Sequence, residues 1–196
     1  MDDFDYIIVG AGSSGATLAC RLAADPRIRV LLLEAGPADT SLQIKVPLGY
    51  GALFYDEKFN WKYETEAEPE LNGRKIYWPR GKVLGGSSAI NAMVYVRGHI
   101  NDYEQWAKVA PGWGWADVFP YFQKMETWGG RSSTIRGMTG PVNVSNMENA
   151  IHPLTQKYLE AGQQLGFTHN ADYNGTEMEG VSIYQTTTFK GQRVSS

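Results

Sequence analysis

The chain has 196 residues, with 18 Lys and Arg against 21 Asp and Glu, a formal net charge of −3. Charged residues at 20% and hydrophobic ones at 42% describe an ordinary globular protein, and the near-neutral balance argues against a broad nucleic-acid-binding face. The apolar runs Tyr6–Val9 and Val30–Leu33 fall far short of the ~20 residues that cross a bilayer, so no transmembrane segment is expected. Met1-Asp2-Asp3-Phe4-Asp5 is acidic where a signal peptide is basic, which points to a cytoplasmic protein. One cysteine, Cys20, excludes an internal disulfide framework and a Cys-rich metal site. The length allows one domain or two small ones.

Residues 4–9 form an apolar run ending at a glycine cluster and read as a buried strand. Ser13 or Ser14 is expected to cap the following helix, whose apolar face carries Ala16, Leu18, Ala19, Leu22 and Ala23 before Asp25-Pro26 ends it. Val30-Leu31-Leu32-Leu33 lacks alternation, as a strand covered on both faces does. The first forty residues are therefore a βαβ unit with an expected right-handed crossover.

Residues 38–80 hold scattered aromatics, three prolines and no sustained helical period. Within them, residues 71–78 look like a hairpin turning at Asn72-Gly73. A second glycine-rich stretch, residues 80–91, follows. Asn101-Asp102 is expected to cap a short helix bearing Tyr103, Trp106 and Val109, which Pro111-Gly112 ends. Val118, Phe119, Phe122 and Met125 mark another amphipathic helix, with Pro120 in its early turns. Residues 129–133 are a loop and 140–144 alternate as a strand. Leu154, Tyr158, Ala161 and Leu165 keep a helical stripe, with Pro153 suited to the first turn and Gly166 to the end. Val181, Ile183 and Phe189 mark a final strand.

Gly10-Ala11-Gly12-Ser13-Ser14-Gly15 is the strongest local signal, because it follows a predicted strand and opens a predicted helix. Gly10 permits the tight turn, Gly12 lets backbone approach a pyrophosphate, and Gly15 lets helix and strand pack closely. The helix N-terminus offers unpaired N–H groups and partial positive charge to a diphosphate. Glu34 ends the second strand, 34 − 15 = 19 positions after the last glycine, where a carboxylate accepts hydrogen bonds from an adenosine ribose and repels a 2′-phosphate. The alternative is a glycine-rich turn with a surface glutamate.

The second cluster separates NAD from FAD. Residues 81–98, Gly-Lys-Val-Leu-Gly-Gly-Ser-Ser-Ala-Ile-Asn-Ala-Met-Val-Tyr-Val-Arg-Gly, together with the first fingerprint, resemble the glucose–methanol–choline (GMC) oxidoreductases, FAD-dependent enzymes that oxidise alcohols, and above all their choline-dehydrogenase-like members. Asn60-Trp61, Pro79-Arg80-Gly81-Lys82, Tyr103-Glu104-Gln105-Trp106, Gly140-Pro141 and Gly191-Gln192-Arg193-Val194-Ser195 extend the resemblance over essentially the whole chain. It implies an α/β fold: a Rossmann-like FAD-binding domain with an incomplete sheet over residues 1–112, and the first part of an α+β substrate-binding domain over 113–196.

The resemblance also implies that Gly10, Gly12, Ser13, Ser14, Gly15, Glu34, Ala35, Trp61, Arg80, Val83, Gly85, Gly86 and Ser87 lie along FAD, and that Asn91, Ala92, Met93 and Val94 approach its isoalloxazine ring. From the residues themselves, Gly85-Gly86 leave room for a flat or anionic group, and Ser87 and Ser88 add hydroxyl donors. Some family members carry a flavin-linking histidine before the motif's asparagine. Ile90 stands there and cannot form that bond, so FAD is expected to be non-covalent.

No nucleophile elbow is present, and His99, His152 and His169 lack metal spacing, so each reads as a surface or locally hydrogen-bonded histidine. Cys20 reads as core filler. Trp113, Trp115, Phe119, Tyr121 and Phe122 read as an aromatic core, with a cage for a quaternary ammonium as the alternative. By resemblance, a primary alcohol gives hydride to flavin N5, with oxygen or a quinone or dye as final acceptor. The assisting histidine matches nothing here, so this chain is expected to hold no catalytic residue and to be an N-terminal fragment. A non-catalytic remnant and an FAD-dependent lyase or decarboxylase are the competing readings.

Overall fold

The structure, a computed structural model, describes residues 3–196. The chain is mixed α/β, and its strands pair two by two. It divides into two compact units: one runs to Met93 and takes in Lys190–Ser196, and the other is Val94–Phe189. Among the described residues no helix is long and apolar enough to cross a membrane.

In the first unit, β1 (Tyr6–Val9) and β2 (Val30–Leu33) pair in parallel, Tyr6 opposite Val30 and Val9 opposite Leu33. The connection between them carries α1 (Ser13–Leu22). Extended backbone gives way to helix at Gly12, whose carbonyl accepts the Ala16 N–H at 2.8 Å. Ser13 and Ser14 are therefore the first helical residues, and the helix starts without the side-chain cap expected from either. Ile8 faces α1, because a Cβ on Gly15 would lie 3.3 Å from its Cγ2. Ile7 and Val9 alternate to the other face and stay 61% and 84% exposed. The strands are thus not covered on both faces. α1 buries none of its residues, and Cys20 is exposed rather than packed in a core.

The core of this unit is Ile44, Leu53, Phe59, Val83, Ala89 and Ile90. Two one-turn helices, α2 (Leu42–Lys45) and α3 (Tyr50–Leu53), bring in Ile44 and Leu53. A single turn shows no period in sequence, which is why this region read as irregular. The expected turn forms at Asn72-Gly73, both with positive φ (58° and 70°). Its arms reach further than residues 71–78, pairing β3 (Tyr63–Glu64) antiparallel to β4 (Tyr77–Trp78).

The second unit begins with α4 (Ile100–Ala107) and α5 (Trp115–Met125). Tyr103 meets Trp115 and Phe122 ring to ring at 5.4 and 5.9 Å, binding the two helices together. The boundary expected between residues 112 and 113 therefore falls inside this unit, and Pro111-Gly112 is a turn between packed helices. α4 is capped by His99, not by Asn101 or Asp102. Its Nδ1 accepts from Asn101 N at 3.1 Å, while its own N–H donates to Asp102. Met125 leads directly into β5 (Glu126–Trp128), which pairs in parallel with β6 (Val142–Val144) and which no sequence pattern announced. α6 (Pro153–Gln164) starts at His152, whose Nδ1 accepts from Leu154 N at 3.2 Å. Its expected apolar stripe faces outward: Leu154 and Tyr158 are 70% and 73% exposed, and Leu159 is the residue buried instead.

Between these elements lies a buried ionic cluster. The Glu126 carboxylate is fully buried and accepts from Arg97 Nη2, from Arg136 Nε at 2.8 Å and from Gly137 N at 2.8 Å. Arg136 Nη1 continues to Asp172 at 2.7 Å and Gln185 at 3.0 Å. Burial, reinforced by the charge of Glu126, pushes the Tyr95 phenol up to about 12.

Candidate functional site

The first unit contains a cavity of about 620 Å³ built where the two glycine-rich turns meet. The first turn leaves β1, and the second precedes a 3-10 turn at Gly86–Ala89. They touch backbone to backbone: Gly85 N–H donates to Ala11 O at 2.9 Å, and Gly12 bridges to Gly85. A Cβ on Gly86 would come 2.8 Å from Gly12 Cα, so only glycine allows this approach. Gly15 has a different duty, since its Cβ would lie 2.0 Å from Gly10 O and push α1 off β1. A Cβ on Gly12 meets nothing nearer than Gly86 Cα at 3.9 Å. The space over Gly12 is open, at the start of α1 where N–H groups point outward.

Glu34, at the end of β2, lines the same cavity. One carboxylate oxygen accepts from Ala11 N at 2.8 Å and the other from Gly36 N at 2.9 Å. The side chain thus ties the first turn to the turn after β2. A carboxylate has about four acceptor sites, so two remain for hydroxyl groups.

The remaining wall comes from the segments flanking β3 and β4. Trp61 stacks on Tyr63 at 5.9 Å and 5°, and Lys82 Nζ sits 5.0 Å from the Trp61 ring. Asn60, buried, organises this wall. Its Oδ1 accepts from Lys62 N and Arg80 N at 2.9 and 3.0 Å, and its Nδ2 donates to Phe54 O at 2.7 Å. Trp61 N donates to Arg80 O at 2.9 Å, which brings both residues to the cavity. Ser87 Oγ accepts from Gly81 N at 3.1 Å, leaving its own proton to donate.

Of the expected site residues, Gly10, Gly12, Glu34, Ala35, Trp61, Arg80, Gly86 and Ser87 line this cavity. Gly85 and Gly15 hold its frame from behind. Ser13 and Ser14 lie in the first turn of α1. Val83 points into the core and is fully buried, so its side chain is not part of the cavity wall. Asn91 and Ala92 are exposed, and Met93 is buried. None of these three lines the cavity, and Val94 belongs to the second unit, where it bridges to Thr186. Sequence reasoning missed Val9, Leu33, Tyr63 and Gly81. Tyr63 had no local signal, because Lys62 between it and Trp61 takes a left-handed φ of 55°, which breaks the alternation of an extended segment.

Arg193 is 6% exposed and sits behind the second turn, where burial lowers its guanidinium to about 10. It donates through Nε to Ile44 O at 3.0 Å, and through Nη1 to Ser88 O at 3.1 Å and Asn91 Oδ1 at 2.8 Å.

The cavity combines a helix start, a carboxylate with acceptor capacity, stacked aromatics and a guanidinium. That set suits an elongated ligand with hydroxyls, flat rings and an anionic middle. Comparison with known proteins bears on which ligand it is. A family model described as GMC oxidoreductase matches residues 4–196. An alcohol dehydrogenase [acceptor] of Pseudomonas putida is 47% identical over 195 residues, covering 98% of this chain and 35% of the relative. Human mitochondrial choline dehydrogenase is 46% identical over 203 residues, covering 100% of this chain and 34% of the relative. Among solved structures, pyridoxine 4-oxidase from Mesorbium loti superposes with a TM-score of 0.92 at 37% identity, over 98% of this chain and 38% of that one. The chain thus spans about a third of the length of the curated relatives it matches.

Proposed function

The chain belongs to the GMC oxidoreductase family, and on that premise we propose that its first unit is the Rossmann-like FAD-binding part of an enzyme that oxidises a primary alcohol. The observation that carries this reading is the open space over Gly12, framed by a helix start and by Glu34. The diphosphate takes the start of α1, with Gly12 and Ser13 beneath it. Glu34 accepts the ribose hydroxyls on the acceptor sites left by its two backbone bonds. Arg80 and Ser87 offer donors along the cofactor, and Trp61 a flat face. When bound, FAD supplies the hydride acceptor for the alcohol carbon.

The cofactor is held without a covalent bond. Ile90, which occupies the position of the linking histidine, is 2% exposed in an apolar cluster and has no nucleophilic atom. The second unit is the start of the substrate-binding domain. By the family resemblance no histidine of this chain matches the assisting base, and His99, His152 and His169 do not line the cavity. Oxygen and a quinone or dye both remain as final acceptors.

The test is FAD binding, followed by flavin fluorescence. The wild-type protein is expected to take up FAD and release it intact on acid denaturation. Gly12→Val is expected to abolish uptake while keeping its far-UV circular dichroism, because the added side chain fills ligand space rather than protein. A Gly12→Val protein with normal FAD content would sink the reading, and flavin retained by precipitated, washed protein would refute the non-covalent part.

A further inference from the structure

Lys62 has φ 55°, a left-handed conformation that a residue with a Cβ resists. Asn60, 2% exposed, holds it there. Its Oδ1 accepts from Lys62 N at 2.9 Å and from Arg80 N at 3.0 Å, while its Nδ2 donates to Phe54 O at 2.7 Å and to Tyr77 Oη at 3.1 Å. Two N–H donors on one side and a carbonyl on the other fix the direction of the amide. One buried oxygen therefore ties the segment carrying Trp61 and Tyr63 to the segment carrying Arg80 and Gly81, and all of these line the cavity. Lys62 does not line it, and its Nζ reaches Glu57 at 2.9 Å instead. The turn at Lys62 lies between the Trp61 and Tyr63 rings, which stack 5.9 Å apart and within 5° of parallel. Strained backbone of this kind persists only where its surroundings over-determine it.

We propose that the Asn60–Lys62 turn is a positioning device of the cavity: it sets Trp61 and Tyr63 as one pre-stacked wall, so that Lys62 governs the affinity for a ligand with a flat heteroaromatic ring through its backbone alone. This rests on the FAD reading above, which supplies the probe. Two large rings ordered before the ligand arrives need not be immobilised on binding, which strengthens it. When Lys62 relaxes to negative φ, Tyr63 leaves the side of Trp61 and the wall comes apart. The apolar core of the unit is untouched, because none of these side chains belongs to it.

Lys62→Gly and Lys62→Val separate the backbone from the ammonium group. Both lose the ion pair to Glu57, but glycine takes φ 55° freely and a β-branched residue resists it most. In FAD titrations of the full chain, Lys62→Gly is expected to bind within about threefold of wild type and Lys62→Val about tenfold more weakly. The near-UV circular dichroism of the FAD-free protein is expected to change with Lys62→Val and not with Lys62→Gly. Asn60→Ala is expected to weaken FAD by about tenfold or more, and adding Lys62→Gly to it to restore part of that loss. Should Asn60→Ala fail to fold, the two Lys62 variants decide alone, since neither alters a buried side chain. Equal FAD affinities for Lys62→Gly and Lys62→Val overturn the proposal while leaving the cofactor reading intact. So does a Lys62→Val protein whose melting temperature falls while its FAD affinity stays at the wild-type value, which marks a structural turn only. A wild-type chain that takes up no FAD overturns the cofactor reading and this inference together.

Discussion

Glu34 acts on the protein before it acts on any ligand. Glu34→Ala leaves the N–H of buried Ala11 without its acceptor, so the FAD-free protein is expected to lose about 1–3 kcal/mol in urea unfolding. FAD affinity is expected to fall by about 1.5–3 kcal/mol as well, read by titration. Unchanged FAD-free stability would remove the bracing role, and unchanged affinity the ribose role. Tyr95 offers a second check. Its pKa is raised from 10.0 to about 12 in the folded state, so the folded chain holds that proton more tightly than the unfolded one. The associated stability is present below about pH 10 and is lost as pH rises toward 12. Tyr95→Phe is expected to flatten part of that decline in urea midpoints and to cost about 1 kcal/mol at pH 7, because the buried hydroxyl lies beside Arg97 and Glu126. A decline identical to wild type would refute the assignment. The place of Glu34 was legible from its spacing to the glycines. Its backbone bonds were not, because they depend on where two turns fold back. The Glu126 cluster was illegible too: its partners Arg97 and Arg136 lie 29 and 10 residues away with no local pattern.

Among the elements, α6 tests which side of a helix is inner. Leu159→Ala is expected to destabilise by about 2–5 kcal/mol, while Leu154→Gln and Tyr158→Gln change stability by about 0.5 kcal/mol or less. Urea midpoints decide it, and the reverse order would restore the stripe read from sequence. The helix itself was legible, with Pro153 at its first turn and Gly166 just past its end. Its orientation was not, because both of its faces carry apolar residues. The cap of α4 was misplaced and that of α6 went unnamed for one chemical reason. Both are capped by an imidazole nitrogen, where Ser, Thr, Asp and Asn are the usual signals. β1, β2 and the Asn72-Gly73 turn were legible because runs of aliphatic residues and an Asn-Gly pair act locally. β5 was hidden because three residues following a helix leave no room for alternation.

At the scale of the whole chain, the faces of β1 and β2 turned away from α1 and the outward side of α6 expose Ile7, Val9, Leu33, Leu154 and Tyr158. Such surface is expected to make the 196-residue chain self-associate, with a sedimentation coefficient that rises with concentration. The same chain is expected to show no alcohol oxidation with FAD and a dye acceptor. Turnover that disappeared with Asn91→Ala would place the base inside it. The contact between Gly12 and Gly86 has a further consequence. Because the two turns meet through main-chain atoms and a Gly85–Ala11 bond, their relative position owes nothing to rotamers and is fixed before any ligand arrives. A dinucleotide lying across them meets a surface whose ordering entropy was lost during folding. Its arrival should therefore be a single-step encounter, with an observed rate that climbs linearly with cofactor concentration and never reaches a plateau.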